Sequence, residues 1–473
     1  MLSAATAIAA PAQTFKTLGR FNIDNGEHPL AALAQGTNGT LYGTTSLGGA
    51  NAQGTVFEVS PAGIRNLYSF CSQTNCTDGD EPLTGLLLAV DGDFYGTAAD
   101  GGAFGGGTLF KVNATGAIQT IYSFCSQSCP DGAAPRGTLI QARDLNFYGT
   151  TSEGGAHVRG GTVFRLSRTG VLTTLHSFCA KNDCHDGETP YGTLMQGSDG
   201  NLYGTTNGGG AYGDGTIFQI AQTGQFSRLY SFCSPSNCTE GYSPLAGLIE
   251  GSDGNLYGIT SGGGINDGGT AFKITPQGTL TTLYSFCSQP NCSDGGGPSA
   301  LVQATDGNFY GTTFGGGTQN CVNGCGTIFS LTTQGRLTTL HTFCAQPGCT
   351  DGSNPDAGLL QGTSGLFYGT TLQGGGPACG QVGCGTVFSL SVGLGPFVAF
   401  VHGAGKVGQN SGVLGQGFNG TTGVSFNGVP ATYTLISDTY LTATVPAGAT
   451  TGYVTVVTPS GTLTSNVPFR VLP

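Results

Sequence analysis

The sequence predicts an all-β protein: a seven-bladed β-propeller closed by its own N-terminal strand, followed by a small Ig-like β-sandwich. Three observations predict it. The tripeptide YGT, or YGI once, recurs seven times at nearly constant spacing. Each copy sits among four short strand-like runs. The last copy lacks its fourth run, and a matching run stands before the first copy.

The repeats begin their YGT motifs at Tyr42, Tyr95, Tyr148, Tyr203, Tyr257, Tyr310 and Tyr368, with spacings of 53, 53, 55, 54, 53 and 58 residues. One unit reads LAGLIEGSDGNLYGITSGGGINDGGTAFKITPQGTLTTLYSFC from residue 245. Its runs LAGLIE, NLYGIT, GTAFKIT and TLTTLYSF are rich in β-branched and aromatic residues. SDG joins the first pair and PQG the second, as tight hairpin turns do. No run has helical periodicity. A repeat of about 50 residues with four antiparallel strands is the unit of a propeller blade.

Register tells a closed ring from an open solenoid. Repeat seven stops after GTVFSLS (385–391), while QTFKTLGRFN (13–22) aligns with the fourth strands of the other repeats. Placed in the last blade it closes the ring, whereas a solenoid leaves its ends apart.

Sixteen cysteines form eight close pairs: Cys71/Cys76, Cys125/Cys129, Cys179/Cys184, Cys233/Cys238, Cys287/Cys292, Cys321/Cys325, Cys344/Cys349 and Cys379/Cys384. Such regular pairing predicts local disulfides and an oxidising, extracytoplasmic location, secreted or at the cell surface. Structural zinc wants four ligands together, and each loop offers two thiols. Six pairs lie in blade-to-blade loops of the form C…C, acid, Gly, Pro. Two lie in the Gly-rich loops between second and third strands of repeats six and seven. Alternation of connections along an antiparallel sheet puts both loop types, and so all eight pairs, on one face. Rigid loops on a scaffold are where binding sites commonly sit.

The composition narrows the function classes. Of 473 residues only 9% are charged, against about 25% in ordinary domains. A formal charge of −11 with no basic stripe excludes nucleic acid as a partner. No apolar run reaches the roughly 20 residues of a spanning helix, so no transmembrane segment is expected. The opening MLSAATAIAAPAQ reads as the remnant of a secretory signal over residues 1–12, without a positive n-region. The domain plan is then a propeller over residues 13–392 and a separate module over 393–473. The latter has no cysteine and consists of alternating runs with Gly and Pro punctuation at sandwich-like spacing.

The motif NLYGTT…GG…GTVF…G.LTTLYSFC resembles the GloVer tandem repeats of exported bacterial proteins over residues 13–391. That resemblance implies a surface or secreted protein and brings no catalytic residue with it. The tail, with GKVGQNSGVLGQGFNG, VSFNGVPAT, LTATVP and GYVTVVTPSG, looks like an IPT/TIG domain, which implies a spacer or a sugar-associated module.

Candidate chemistry is sparse. The acid after each cysteine pair (Asp78, Asp131, Asp186, Glu240, Asp294, Asp351) precedes a Gly, as in a turn where the carboxylate accepts backbone N–H groups. In the first loop Asp78, Asp80 and Glu81 cluster, and calcium is the alternative reading there; no other cofactor is expected. Seven residues before each repeat's Tyr stand Gln35, Leu88, Gln141, Gln196, Glu250, Gln303 and Gln361. These end the innermost strands, placed either to face a ligand on the axis or to satisfy neighbouring backbone. His176 and His341 replace the Tyr of LYSF at a packing position; His185 with His157 is a remote metal pair.

The reading that follows is an exported, non-enzymatic propeller whose disulfide-stapled face binds a glycan or surface protein. One alternative is a subunit of an extracellular polymer, with strand 13–22 or the Ig-like module contacting other copies. A second alternative is a propeller-type polysaccharide lyase or hydrolase.

Overall fold

The computed structural model describes residues 13–473 apart from 157, 181, 182, 235, 236 and 381. The fold is all-β, and its few helical turns are 3₁₀ turns of three residues. Each repeat forms one four-stranded antiparallel sheet whose strands follow chain order. In repeat five these are Ile249–Glu250, Leu256–Thr260, Thr270–Ile274 and Leu280–Ser285.

The seventh sheet takes its first three strands from Leu360–Gln361, Phe367–Thr371 and Thr386–Ser391, and its fourth from Thr14–Arg20. Thr14 pairs with Ser391 and Arg20 with Thr386, and Leu18 bulges out of the ladder. Leu67, Ile121, Leu175, Leu229, Leu283 and Leu340 are skipped at the same point of the other six sheets. The N-terminal strand thus carries the fingerprint of a fourth strand down to its bulge, which re-aims one side chain and tightens the local twist. The bulged carbonyl reaches the next repeat's third-to-fourth turn. Gly335 lies there with φ +85°, and a Cβ on it would be 2.3 Å from the Leu283 carbonyl oxygen.

Apolar packing between neighbouring sheets explains the YGT motif. The third-strand Phe of each repeat, such as Phe57 and Phe272, is fully buried. Its ring lies over the motif glycine: a Cβ on Gly258 would be 2.5 Å from Phe272 Cζ, so no larger residue fits. The motif Tyr stacks outward on the following sheet, Tyr42 on Phe94 at 4.4 Å and Tyr310 on Phe367 at 4.3 Å between centroids. Its hydroxyl bonds back to the turn four residues earlier, donating to Asp253 from Tyr257 at 2.8 Å and accepting from the Asn38 amide at Tyr42. Sheets seven and one share a core of Phe21, Leu33, Leu41, Phe57 and Val387, which completes the circuit.

The innermost strands differ from the sequence reading. LAGLIE shrinks to Ile249–Glu250 as a paired strand, and only repeat six keeps a long one, Gly296–Gln303. Near the axis the backbone bonds sideways instead. Gly85 N–H donates to the Thr138 hydroxyl, Thr138 N–H to the Thr193 hydroxyl, and the Thr205 hydroxyl to the Ala246 carbonyl. Sheets converge there, and a neighbouring repeat is nearer than the next strand of the same repeat.

Beyond residue 393 the chain builds two further four-stranded antiparallel sheets. One holds Ala399–Phe400, Asn410–Leu414, Tyr440–Thr444 and Tyr433–Ser437; the other Val429–Ala431, Gly423–Phe426, Val454–Thr458 and Gly461–Thr464. Val413, Phe418, Phe426, Leu441, Val456 and Phe469 are buried together as their common core.

Candidate functional site

All eight cysteine pairs are bonded as disulfides, with no free cysteine among the described residues. Each blade-to-blade loop is also tied to the Gly-rich loop of the repeat that follows. Gly102, Gly155, Gly210, Gly264, Gly317 and Gly375 donate their N–H groups to the carbonyls of Cys76, Cys129, Cys184, Cys238, Cys292 and Cys349. The two loop types form one continuous stapled face.

Two of these disulfides reach from that face into the core. Cys325 and Cys384 are fully buried and offer nothing to a ligand. Cys325 packs with Ile328, Phe343 and Cys344, and Cys384 with Phe21 and Val387. The cause is their place at the end of the Gly-rich loop, two residues before the third strands that start at Thr327 and Thr386. The backbone there is pinned beneath the next loop, since the Cys325 carbonyl accepts the Asn354 N–H and the Cys384 carbonyl the His28 N–H. The Cys321/Cys325 and Cys379/Cys384 bonds therefore tie a loop to the core. Cys179 and Cys344, directly after the buried Phe178 and Phe343, are buried as well.

The acids of these loops are structural acceptors. Asp78 is fully buried and takes hydrogen bonds from the Tyr68 hydroxyl, the Ser72 N–H and hydroxyl, and the Gln73 N–H. Burial and this bond to a carboxylate push the Tyr68 hydroxyl up to about 12. Asp294 repeats the arrangement with Tyr284, Ser288 and Gln289. His176 and His341 are therefore more than packing variants. Their Nε2 atoms lie 2.9 and 3.1 Å from Asp186 and Asp351, where the other repeats present the tyrosine hydroxyl. Asp78, Asp80 and Glu81 are electrostatic neighbours, and burial with Asp100, Glu81 and Asp78 nearby raises the Asp80 carboxyl, but both Asp78 oxygens face these donors and no converging ligand group among the described residues includes any of the three. The clusters that do converge, such as Cys321, Cys344 and Cys349, consist largely of disulfide-bonded sulfurs with no thiolate to give a metal. His185 faces Asp183 at 3.7 Å, and His157 lies outside the described residues.

The glutamine ring is a belt between repeats. The side-chain oxygens of Gln35, Gln141, Gln196, Glu250, Gln303 and Gln361 accept the N–H groups of Thr363, Val90, Arg143, Ser198, Ser252 and Thr305, each in the preceding repeat. Leu88 breaks the belt for a different reason from a ligand on the axis. It packs in one cluster with Leu414, Ala399, Val401 and Tyr440 of the C-terminal part. Further bonds fix that part to the tight-turn face: Thr439 hydroxyl to Thr37 carbonyl at 2.8 Å, Arg470 to Ser198 carbonyl at 2.8 Å, and His402 Nε2 to Ala142 carbonyl oxygen at 3.1 Å. Gln141, Gln196, Glu250 and Gln303 line a cavity of about 500 Å³ that His402, Tyr453, Pro468 and Arg470 cover. The axis is thus roofed at this end.

At the other end the axis is open. The residue after the proline of every repeat (Leu30, Leu83, Arg136, Tyr191, Leu245, Ser299, Asp356) lines one cavity of about 540 Å³, joined by Phe314. Sequence reasoning missed these seven. The signal was present as variation: the position after Pro changes chemistry in a repeat whose neighbouring positions hardly change. Arg136 stands 5.4 Å over the Tyr191 ring. Asp356, on the opposite side of the ring, has no hydrogen bond or ion pair with a described residue. Solvent reaches it through the open mouth, yet protein encloses its other sides, and this loss of hydration lifts its carboxyl to about 6.

A second feature surrounds the mouth. The Gly-rich loops of repeats two to seven each hold an apolar side chain out in solvent at the tip: Phe104, Val158, Tyr212, Ile265, Val322 and Val382. Val158, Ile265 and Val322 are 79%, 76% and 89% exposed, which excludes any packing role within the chain.

The Gloeobacter/Verrucomicrobia repeat matches residues 6–143, 126–292 and 244–421. The chain belongs to the Gloeobacter/Verrucomicrobia repeat family. No curated protein matches the sequence. Among solved structures, a streptogramin B lyase is similar at 15% identity and TM-score 0.52, over 80% of this chain and 97% of that one. A fungal alcohol oxidase of the AA5 family, in complex with copper, is similar at 13% identity and TM-score 0.56, over 97% of this chain and 99% of that one. At these identities the likeness concerns the fold, which is propeller-like. The Gloeobacter/Verrucomicrobia repeats of this chain thus build a propeller-like, disulfide-rich protein, and disulfides in this number belong to oxidising compartments outside the cytosol. Among the described residues no helix is long and apolar enough to cross a membrane.

Proposed function

We propose that this chain is an exported, non-enzymatic seven-bladed β-propeller over residues 13–392, with an IPT/TIG-like Ig-fold module over 393–473, and that its disulfide-stapled face binds a surface protein. The ring of exposed tips, Phe104, Val158, Tyr212, Ile265, Val322 and Val382, carries the reading. Exposed apolar side chains placed at the same point of six successive loops form a surface that gains by being covered. Rigid loops lose little conformational freedom on binding, so more of the contact energy appears as affinity. Four of the six tips are aliphatic and have no hydrogen-bonding group for a hydroxyl-rich glycan, which favours a protein surface. The C-terminal module occupies the opposite face and leaves this one free.

Fluorescently labelled full-length protein applied to envelopes of the producing cells tests this. Saturable binding that protease pretreatment of the envelopes abolishes, and that a V158S/I265S/V322S variant loses, is expected. Loss on glycosidase treatment would assign the face to a glycan. Filaments of the purified protein in electron micrographs would assign it to self-assembly, and an unaffected variant would remove the tips from the interaction.

A further inference from the structure

We infer that the axial mouth of the stapled face binds a small organic ammonium ligand with an apolar body, its cationic head against Asp356 and its chain along Leu30, Leu83 and Leu245. The site lies within the face assigned above, so it deepens that reading while resting on different residues.

Charge is the first argument. Among the described residues Asp356 is the only carboxylate lining the cavity, and none of them donates a hydrogen bond to it or pairs with it. Its carboxylate meets solvent at the open mouth with protein on its other sides, and a ligand that brings a cation there gains a partly screened charge-assisted contact. The titratable groups lining the mouth are Arg136, Tyr191 and Asp356. Arg136 approaches Tyr191 from the far side of the ring and leaves Asp356 unanswered. Burial alone raises the Asp356 carboxyl to about 6, so it is ionised at neutral pH and available to a cation.

The lining decides which cation. A divalent metal wants six or more oxygens, and here one carboxylate stands beside the Ser299 hydroxyl and three leucines. An ammonium needs one carboxylate and tolerates an aromatic face, which Phe314 offers in the neighbouring repeat. The leucines suit an alkyl or other apolar body. A volume of about 540 Å³ holds a small molecule, and the roof at the tight-turn end prevents it from threading through.

Titration calorimetry of the full-length protein with n-hexylammonium, hexanoate and 1-hexanol tests the inference. The expected result is one site per chain for hexylammonium, with hexanol and hexanoate at least tenfold weaker. Asp356→Asn should weaken hexylammonium by about tenfold or more, the scale of a lost charge-assisted contact. Binding should tighten from pH 5 to pH 7.5 as the carboxyl ionises. The V158S/I265S/V322S variant should retain amine binding in full while losing envelope binding, and D356N should do the reverse. Equal binding of hexanol and hexylammonium, no binding of any probe, or an unaffected D356N with unchanged circular dichroism would overturn the ammonium site and leave the surface reading standing.

Discussion

Phe15 lies flat on the imidazole of His341, ring centroids 3.8 Å apart and planes within 2°. Phe226 lies on His176 in the same way at 4.0 Å and 6°. Both phenylalanines also meet the next Phe of the preceding sheet edge-on, Phe343 and Phe178, and the third-strand Phe of their own sheet, Phe388 and Phe218. The first strand of the chain therefore occupies its place in the seventh sheet through side chains as well as hydrogen bonds.

Removing that ring should loosen the closure. F15A is expected to lower the unfolding free energy by roughly 2–3 kcal/mol, the range for truncating a partly buried aromatic. Urea denaturation checks this, with K16A on the same strand expected to change little.

Replacing Leu88 by glutamine restores the side chain found at this point in five of the other six repeats, and should nonetheless destabilise. The amide would lie in the apolar cluster of Leu414 and Tyr440, and the packing lost there outweighs a bond to the N–H of Thr37, whose carbonyl alone holds Thr439. A cost of about 1–3 kcal/mol is expected. Faster proteolysis near residue 393, read by mass spectrometry, would show that the C-terminal part has loosened.

Two aspartates should bend the pH–stability curve in opposite directions. Asp356 has a folded pKa of about 6, above the ordinary value, so the native state loses stability as pH rises from about 4 to 6. D356N should match wild type below pH 4 and exceed it above pH 6, by roughly 1 kcal/mol after allowing for solvent access. Burial raises the Asp186 carboxyl, but His176 and the Cys179 N–H outweigh it, and the net pKa is lowered. D186N should therefore be less stable than wild type above the ordinary Asp range, the deficit vanishing as pH falls through the folded value. Thermal melts from pH 3 to 8 distinguish the two.

Reduction should act on one face. Each short disulfide loop contributes about 2 kcal/mol through its effect on the unfolded chain. With dithiothreitol, hydrogen exchange is expected to quicken first at residues 71–79 and their counterparts. Amides held by the glutamine belt, such as Ser252 and Arg143, should keep their protection.

The ring was legible because its constraints repeat. A glycine that must admit Phe272, a tyrosine that must reach Asp253, and a bulged Leu283 recur wherever the same packing recurs, so periodicity reveals them. The mouth was illegible for the converse reason. Leu30, Arg136 and Asp356 share a position without sharing chemistry, and only coordinates show that position to be a common wall. Gln141 and Gln196 were placed at the strand ends, and of the two roles open to them there the bond to neighbouring backbone is the one present, across to the adjoining repeat. Cys325 and Cys384 were paired correctly with their partners, yet their burial depends on Phe343 and Phe21, which spacing alone does not place beside them. Leu88 could not be read at all from the repeats, because its partner Leu414 belongs to the other part of the chain.

The pairing of Thr14 with Ser391 also fixes an order of events. A ribosome releases the first strand long before its partner exists, so six sheets can form and stack while the opening strand waits with an unpaired edge. Closure is a late, long-range step, the kind that loop-closure entropy makes slow. Until it happens, any neighbouring chain halted at the same stage offers an equivalent edge. Dilution, or delivery of chains one at a time across a membrane, would then favour intramolecular capture over exchange between chains.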